Sequence, residues 1–582
     1  MANKHDGYKP KVSKKPRLKV FSGPWQAGRA CERRVEPEFD NVVMLLTSPT
    51  PDRQSIVLAT LNAKYIHASL GLRYLLANMG DLKSRTLLRE FTIARQPQAV
   101  VDELLAALGV RCEGAVQIIG FGVYIWNVTA TCAVVRLLKQ QCPAIRVVLG
   151  GPEVSHEVDE QTIVHLADHV ITGWGDVSFP KLCRALINGP QPLMKVVAGE
   201  QPPLDQIALP YSEYTDADLA HRLLYVEASR GCPFKCEFCL SSLDKTAIAF
   251  DLEAFLAQMQ GLYQRGARNF KFVDRTFNLK IDASVRILQF FLDRLCADLF
   301  VHFEVIPDHL PERLKAMIAQ FPPGVLQFEV GIQSFNVEVQ QRISRRQDNA
   351  KTEANLAWLV TQSNAHLHTD LIFGLPGESL ASFALGFDRL HALKPHESQL
   401  GILKRLRGTP IARHTAAFQM VFDSAPPYTV LQTGAVDALT VARFTRLARY
   451  WELVANSGRF KRTLAVLLNT SVPGAVTLPD AAFEASPFNA FLSFTDWLWQ
   501  TTGKTSALSP EILVDALFDY LSTRLNLPVA TAQETLLADY VASGARANPT
   551  ALKGLLPRRQ APVSHAHRSL ATRQEMHLQT PS

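Results

Sequence analysis

Residues 227–240 read EASRGCPFKCEFCL and place Cys232, Cys236 and Cys239 within eight positions. The chain has nine cysteines in 582 residues, and the other six, at 31, 112, 132, 142, 183 and 296, are scattered. An odd number with one tight cluster is not the disulfide framework of a small secreted domain. It reads as one thiol-bound centre in a reducing compartment, so a cytoplasmic location is expected. The spacing C-x3-C-x2-C brings three thiolates onto one loop. A structural zinc would want a fourth ligand, and the nearest upstream candidate, His221, precedes the strand and should point away. An iron–sulfur cluster is commonly held by four cysteines, so three would leave one iron open to another ligand. From spacing alone a cluster, a zinc site and three incidental thiols all stay open.

The flanking sequence decides the architecture. From Leu223 onward, strand patterns recur at LLYVEAS (223–229), NFKFVD (269–274), FVHFEVI (300–306), VLQFEVGIQ (325–333), LHTDLIFG (367–374) and SQLGILKRL (398–406). Helical stretches such as LEAFLAQMQGLYQ and ASFALGFDRLHAL separate them. Strands alternating with helices predict a parallel sheet. Six βα units are too few for a closed eight-strand barrel, so residues 201–410 are expected to form a partial (β/α)6 barrel. Reactive residues of βα barrels come from the carboxyl ends of the strands, and the cysteine cluster follows the first strand directly.

A second alternation covers residues 53–200. SIVLATLNAKYIHASLGLRYLLANMG (55–80) reads as a strand, a polar loop and a helix. VQIIGFGVYIWN (116–127), IRVVLGGPEVS (145–155) and HVITGWGDVSFPKL (169–182) each carry a strand into a turn. The pattern predicts an α/β, Rossmann-like sheet with helices on both faces, in which ligands bind beyond the carboxyl ends of the strands. The turns at 62–67, 122–127, 150–152 and 173–176 lie at those ends. There is no phosphate-loop or GxGxxG fingerprint, and plain tight turns would read the same.

Gly114–Val135 is uncharged and long enough to span a bilayer, but Gln117, Asn127, Gly120 and Gly122 interrupt it. A buried strand, a loop and a helix start are predicted there, with no membrane contact. Beyond 411 the periodicity is helical and no cysteine follows Cys296. A mostly helical domain is expected over 411–550 and a disordered tail over 551–582. The net charge of +7 sits at the other terminus, where ten Lys or Arg fall within residues 1–34 against Asp6 and Glu32. It therefore belongs to a basic, largely disordered extension over 1–52 and not to a nucleic-acid-binding face.

With Phe238 before the last cysteine, the cluster at the end of a first barrel strand resembles the radical S-adenosylmethionine (radical SAM) superfamily. The resemblance implies a 4Fe–4S cluster on Cys232, Cys236 and Cys239, its open iron chelating the amino and carboxylate groups of S-adenosylmethionine. An electron from the reduced cluster then splits the sulfonium into methionine and a 5′-deoxyadenosyl radical, while the protein supplies orientation and exclusion of water. DLIFGLPGES (370–379) resembles the family's fifth-strand GxPGE segment, which implies that Gly374, Pro376 and Gly377 support the adenine side. FVDRTFN (272–278) stands where the second strand supports the methionine amino group; it lacks the GGE wording and offers Asp274. FEVGIQSFN (328–336) matches the fourth-strand segment and implies Gln333 and Ser334 near the ribose, with Glu304 in FEVIPD pointing the same way. Phe238 joins these as a candidate contact to S-adenosylmethionine.

The segments LATLNAKYIHASLGLRYL (58–75), GFGVYIWN (120–127) and VVLGGPEVS (147–155) resemble the N-terminal domain of the cobalamin-dependent branch of that family. The implied cobalamin contacts are Asn62, Tyr65, His67, Gly122, Tyr124, Gly150, Gly151, Pro152, Gly173 and Gly175. The D-x-H-x-x-G motif is absent and His67 lies in H-x-x-L-G, which implies cobalamin without a protein histidine on cobalt. Gly173-Trp-Gly-Asp176 departs from the usual G-E-G-E wording. GTPIARH (408–414) and ARYWELVANSGRF (448–460) resemble a subgroup with a C-terminal domain of unknown function.

The family resemblance implies methylation of an unactivated carbon of an unknown small-molecule substrate, with cobalamin as methyl carrier and a flavodoxin or ferredoxin as electron donor. A radical rearrangement, cyclisation or oxidation without methyl transfer is the alternative. A metal-stapled RNA- or partner-binding protein is the alternative of a different class. Cys236→Ala is expected to abolish both the cluster absorbance and the formation of 5′-deoxyadenosine. Persistence of that product in the variant would show that these thiols hold no such cluster.

Overall fold

The computed structural model describes residues 55–109, 115–244, 246–469, 486–557 and His577. The basic extension over 1–52 and most of the tail over 551–582 lie outside the described residues.

The front sheet has six parallel strands: β1 (Ile56–Asn62), β2 (Thr86–Thr92), β3 (Ile118–Gly122), β4 (Arg146–Gly150), β5 (His169–Thr172) and β6 (Val196–Ala198). Their order is β2-β1-β3-β4-β5-β6. All seven residues of β1 are buried, as expected of a strand covered on both faces. Helices α1 (Leu70–Ala77), α2 (Pro97–Leu108), α3 (Val128–Gln141), α4 (Thr162–Leu166) and α5 (Ser178–Asn188) supply the cover. One apolar layer packs α2 and α3 against the sheet, and a second packs α1 and α5 against the other face. The described part of the uncharged stretch, from Ala115 to Val135, thus divides into β3, a loop and the start of α3. Among the described residues no helix is long and apolar enough to cross a membrane.

The sequence reading missed β2 and β6. In β2 the alternation is broken by Glu90, a carboxylate that turns inward and is stabilised by ion pairs. After the short α6 (Asp216–His221) the barrel begins with β7 (Leu224–Val226) and a ribbon of β8 (Ser229–Arg230) and β9 (Ile248–Ala249). It continues through α7 (Leu252–Gln264), β10 (Asn269–Phe272), α8 (Ile281–Leu292), β11 (Phe300–Val305), α9 (Glu312–Ile318) and β12 (Leu326–Gln333). It ends with α10 (Val337–Arg342), α11 (Asn349–Gln362), β13 (His366–Phe373), α12 (Leu380–Ala392) and β14 (Glu397–Ile402). The main strands run parallel in the order β7-β10-β11-β12-β13-β14, an open six-stranded barrel as expected. In β12, Leu326, Phe328, Val330 and Ile332 are buried, while Gln327, Glu329, Gly331 and Gln333 take the alternate face.

The remaining elements are a hairpin of β15 (Val421–Phe422) and β16 (Val430–Gln432) and helices α13 (Ala438–Val454), α14 (Lys461–Asn469), α15 (Pro487–Thr502), α16 (Pro510–Thr523) and α17 (Val529–Ala542). The helices share one apolar core with the barrel, and the hairpin packs through Val430 and Phe422 into a smaller cluster with Leu375 and Leu403. Phe373 of β13 stacks on Phe444 of α13 at 3.9 Å, and Trp451 meets both Phe387 and Phe491 at 4.9 Å.

Both free edges of the partial barrel are covered. At β14, Asn456 takes the place of a further strand: its Oδ1 accepts from Ser398 N and its Nδ2 donates to Ser398 O, each at 3.0 Å. At the β7 edge, Leu223 N donates to Ile66 O at 2.9 Å and His67 pairs in parallel with Leu223. A loop of the front sheet thereby extends the barrel sheet. Beside it lies a buried ion cluster. Arg73 bonds Glu90 at 3.0 Å and Asp218 at 2.7 Å, while Arg222 bonds the same carboxylates at 2.6 and 3.0 Å. Removing one member leaves an uncompensated buried charge. Glu90→Ala should therefore cost about 3–5 kcal/mol, read as a lower thermal midpoint of the cluster-free protein. An unchanged midpoint would show that the junction does not rest on these pairs.

Candidate functional site

The cysteine segment is fixed at nearly every residue. Tyr211 donates its hydroxyl proton to Glu227 O at 2.9 Å. Asp274, at the end of β10, accepts from Ala228 N at 3.0 Å and from Ser229 Oγ at 2.6 Å. Gly231 has φ +86°, and a Cβ there would lie 1.9 Å from Thr246 O, so only glycine fits between Arg230 and Cys232. Cys232 N donates to Asp244 O at 3.3 Å and Cys239 N to Cys236 O at 3.1 Å. Glu237 is a buried anchor between the second and third cysteines: it accepts from Ser344 Oγ at 2.6 Å, pairs with His414 at 2.8 Å and is also bonded by Arg413. All three thiols are free; Cys232 and Cys236 are buried and Cys239 half-buried. Burial pushes the Cys232 and Cys236 thiols up, and at Cys236 the guanidinium of Arg345, with Nη1 3.8 Å from the sulfur, opposes this.

The three cysteines line one cavity of about 260 Å³ at the carboxyl ends of β11, β12 and β13, together with Phe234, Phe238, Glu304, Gln333 and Asp370. A register irregularity between Gly331 and Gln333 re-aims the end of β12, and Gln333 sits in the left-handed region at φ +71°. Arg275 clamps Glu304 through two bonds of 2.8 and 2.9 Å. Glu329 is bonded by Lys271 at 3.2 Å and lies 3.2 Å from His302 Nε2. Burial works to raise the Glu329 carboxyl, but the His302 bond and the Lys271 charge win and hold it low. Burial raises Asp370 well above the carboxylate range, and the charges of Glu329 and Glu304 add to this. Its Oδ1 has no hydrogen-bond partner among the described residues.

Of the residues expected to contact S-adenosylmethionine, Phe238, Glu304 and Gln333 line this cavity. The others lie outside the lining. Asp274 is turned behind the cysteine segment, as its bonds to Ala228 and Ser229 require. Ser334 donates to Glu378 Oε1 at 2.5 Å. The turn carrying Gly374, Pro376 and Gly377 belongs to the apolar cluster of Leu375, against which the Phe238 ring packs. Arg275, Glu329, Arg345 and Asp370 were missed. For Glu329 and Asp370 the alternation of charged with apolar residues in FEVGIQ and HTDLIF carried the signal; Arg275 lies in the loop after β10 and Arg345 after α10, where no periodicity marks them.

A second cavity, of about 250 Å³, opens at the carboxyl ends of β3, β4 and β5 beneath α1. Of the residues named as cobalamin contacts, Gly122, Tyr124, Gly150, Gly151, Gly173 and Gly175 line it, and a Cβ on Gly173 would meet nothing within 4 Å. Asn62, Tyr65, His67 and Pro152 are not in its lining. Asn62 donates to His67 O and Glu90, at 2.8 and 2.9 Å. His67 Nδ1 is 2.7 Å from the Tyr225 hydroxyl, and the Arg222 guanidinium lies 5.2 Å from the Tyr65 ring centroid. Asn62, Tyr65 and His67 therefore sit at the junction with the barrel. The wall holds residues the sequence reading passed over: Tyr74, Trp174, Phe179, Asp176 and Arg230. Arg230 comes from the cysteine segment itself.

Comparison with known proteins agrees with this architecture. Residues 226–385 match the model of the Radical SAM superfamily, and residues 416–579 match a protein of unknown function, DUF4080. Over 325 residues the chain is 25% identical to 2-(S-pantetheinyl)-carbapenam-3-carboxylate methyltransferase of Streptantibioticus cattleyicolor, covering 49% of this chain and 47% of that protein. It is 23% identical over 337 residues to the cobalamin-dependent radical SAM methyltransferase TokK of Streptomyces tokunonensis, covering 52% and 49%. The chain thus spans about half the length of these curated relatives. In fold it resembles the cobalamin-dependent S-adenosylmethionine radical enzyme OxsB, with a TM-score of 0.56 at 12% identity over 90% of this chain and 84% of that one. The radical SAM methyltransferase TsrM from Kitasatospora setae gives a TM-score of 0.51 at 17% identity over 65% and 80%. The chain thus carries a radical SAM domain over residues 226–385 and, after it, the C-terminal domain of unknown function that its motifs suggested.

Burial raises the Glu378 carboxyl to about 7. The folded chain then keeps a proton that the unfolded chain has already released, so stability falls as pH rises from the ordinary carboxyl range to about 7. Glu378→Gln removes that slope. In denaturant titrations the variant should gain roughly 2–3 kcal/mol over the unchanged chain between pH 5 and pH 8. Parallel pH profiles would contradict the assignment.

Proposed function

We propose that the chain holds a 4Fe–4S cluster on Cys232, Cys236 and Cys239, S-adenosylmethionine in the cavity beside them and cobalamin in the front cavity, and that it methylates an unactivated carbon of a small-molecule substrate. The observation that carries this reading is that one segment serves both cavities: Arg230 lines the front one and Cys232, two residues on, lines the other.

The residues present fit these groups. The three thiols stand on the wall of a single cavity, two of them buried, with Arg345 beside Cys236 to offset thiolate charge. Glu304 with its Arg275 clamp, Gln333 and Asp370 offer donors and acceptors to the amino-acid and ribose parts of S-adenosylmethionine. Phe234, Phe238, Val305 and Ile306 are apolar walls that exclude water. The front cavity is narrow, with glycine on the sheet side and Leu75, Tyr124, Trp174 and Phe179 around it. That shape admits a flat aromatic group, such as the benzimidazole of cobalamin, and not the whole corrin. When bound, the cluster and cobalamin supply one-electron cleavage of S-adenosylmethionine and methyl carriage. An electron donor such as a flavodoxin or ferredoxin would serve the cluster. The methyltransferase names of the relatives, which the chain matches over about half their length, support transfer of a methyl group over the alternatives.

Reconstituted protein should be incubated anoxically with S-adenosylmethionine, a reductant and hydroxocobalamin, and the products analysed by mass spectrometry. The reading expects 5′-deoxyadenosine together with S-adenosylhomocysteine, the second lost when cobalamin is left out. Deoxyadenosine alone, with or without cobalamin, would replace methyl transfer by a rearrangement, cyclisation or oxidation.

A further inference from the structure

Arg230 occupies an unusual place. It lies in β8, one residue from the constrained Gly231 and two from Cys232, yet its side chain leaves the barrel and enters the wall of the front cavity. There its guanidinium is 4.3 Å from the centroid of Tyr74, 4.9 Å from Trp174 and 5.6 Å from Phe250. Its Nε donates to Glu227 at 2.7 Å, and its two terminal nitrogens grip Asp176 at 2.9 and 3.2 Å. Asp176 ends the Gly173-Trp-Gly-Asp176 turn after β5, and it is buried, as is Glu227. One arginine is therefore bonded to a carboxylate of each sheet and covered by aromatic rings from both.

A fork of this kind transmits position. A bidentate arginine–carboxylate pair fixes orientation as well as distance, and leaving either partner unpaired in a buried site is costly. On the barrel side there is little slack. Ala228 and Ser229 are held by Asp274, Gly231 abuts Thr246 O, and Cys232 is bonded to Asp244 O. On the front side, Asp176 follows directly on Gly173 and Gly175, whose backbone lines the cavity. Among the residues lining that cavity, Arg230 is the one that comes from the barrel, and Trp174 stands beside it.

We infer that the Asp176–Arg230–Glu227 bridge couples occupancy of the front cavity to the cysteine loop, so that cobalamin and the cluster bind cooperatively. This rests on the cofactor assignment above. Arg230 is in this view a positioning residue: it acts on the cluster through Gly231 and Cys232 and touches no reacting atom. Coupling between two sites is reciprocal, each ligand changing the affinity of the other by the same factor. The cluster should therefore tighten cobalamin binding.

The test is the dissociation constant of hydroxocobalamin, measured by absorbance, for cluster-free and cluster-loaded full-length chain. The two constants should differ on the order of fivefold or more in the unchanged protein. In Arg230→Lys, which keeps the charge but loses the fork, and in Asp176→Asn, which leaves the cysteine segment intact, the ratio should fall close to one. A role confined to folding or to lining the cavity would weaken cobalamin binding in both forms alike and leave the ratio unchanged. Equal constants in the unchanged protein, or a ratio that survives in both variants, would overturn the coupling while leaving cobalamin binding in place. Failure of either form of the unchanged protein to bind hydroxocobalamin would instead remove the cobalamin assignment, and the coupling with it.

Discussion

A parallel sheet of six strands curled into a partial barrel ends in two unpaired edges, and exposed strand edges invite pairing with other chains. How this chain covers them governs the rest of the structure. At β14 the cover is Asn456, whose side-chain amide imitates a strand and draws α13 and the C-terminal helices onto the barrel. At β7 the cover is the loop through Ile66 and His67, which belongs to the front sheet. Satisfying that edge joins the two sheets, and the Arg73–Glu90–Asp218–Arg222 cluster holds the junction where water is excluded. The carboxyl ends of both sheets are thereby served by one stretch of chain, residues 227–232.

That stretch shows how a loop rich in reactive groups is kept rigid. Its carbonyls, amides and side chains are taken up by Tyr211, Asp274, Asp176 and Asp244, and beyond it Glu237 ties the cysteine loop to residues 343–344 and 411–414. Such supporting bonds are what a site needs in order to hold a reactive group in one geometry. The barrel interior near the loop is also polar. Lys271, His302, Glu304, Glu329 and Asp370 face a lumen that in many βα barrels is packed with branched apolar side chains.

Much of this could be read in the sequence. The six barrel strands, the placement of the cysteines after the first of them and the glycine turns of the front sheet followed from periodicity and punctuation. So did the reading of Gly114–Val135 as strand, loop and helix. What escaped has physical reasons. β2 was hidden because Arg89 and Glu90 break its apolar run, and only the distant Arg73 and Arg222 make a buried Glu90 tolerable. Asn62, Tyr65 and His67 were implied as cobalamin contacts by the resemblance of the 58–75 segment, and they stand at the junction with the barrel. The sequence could not show that this particular end meets β7. Asp274 was offered as a partner of the methionine amino group by the resemblance of FVDRTFN to a second-strand segment, and its carboxylate is bonded to Ala228 N and Ser229 Oγ. Arg230 was in plain view beside Cys232, and nothing local indicated that its side chain crosses to the other sheet.

The central claim is that two cofactors are held against opposite ends of one short segment. Electron paramagnetic resonance of the anoxic protein, loaded with both a reduced cluster and cob(II)alamin, tests it most directly. The account predicts signals broadened or split by magnetic interaction between the two centres. A spectrum equal to the sum of the two separate signals, with both cofactors bound in full, would contradict it.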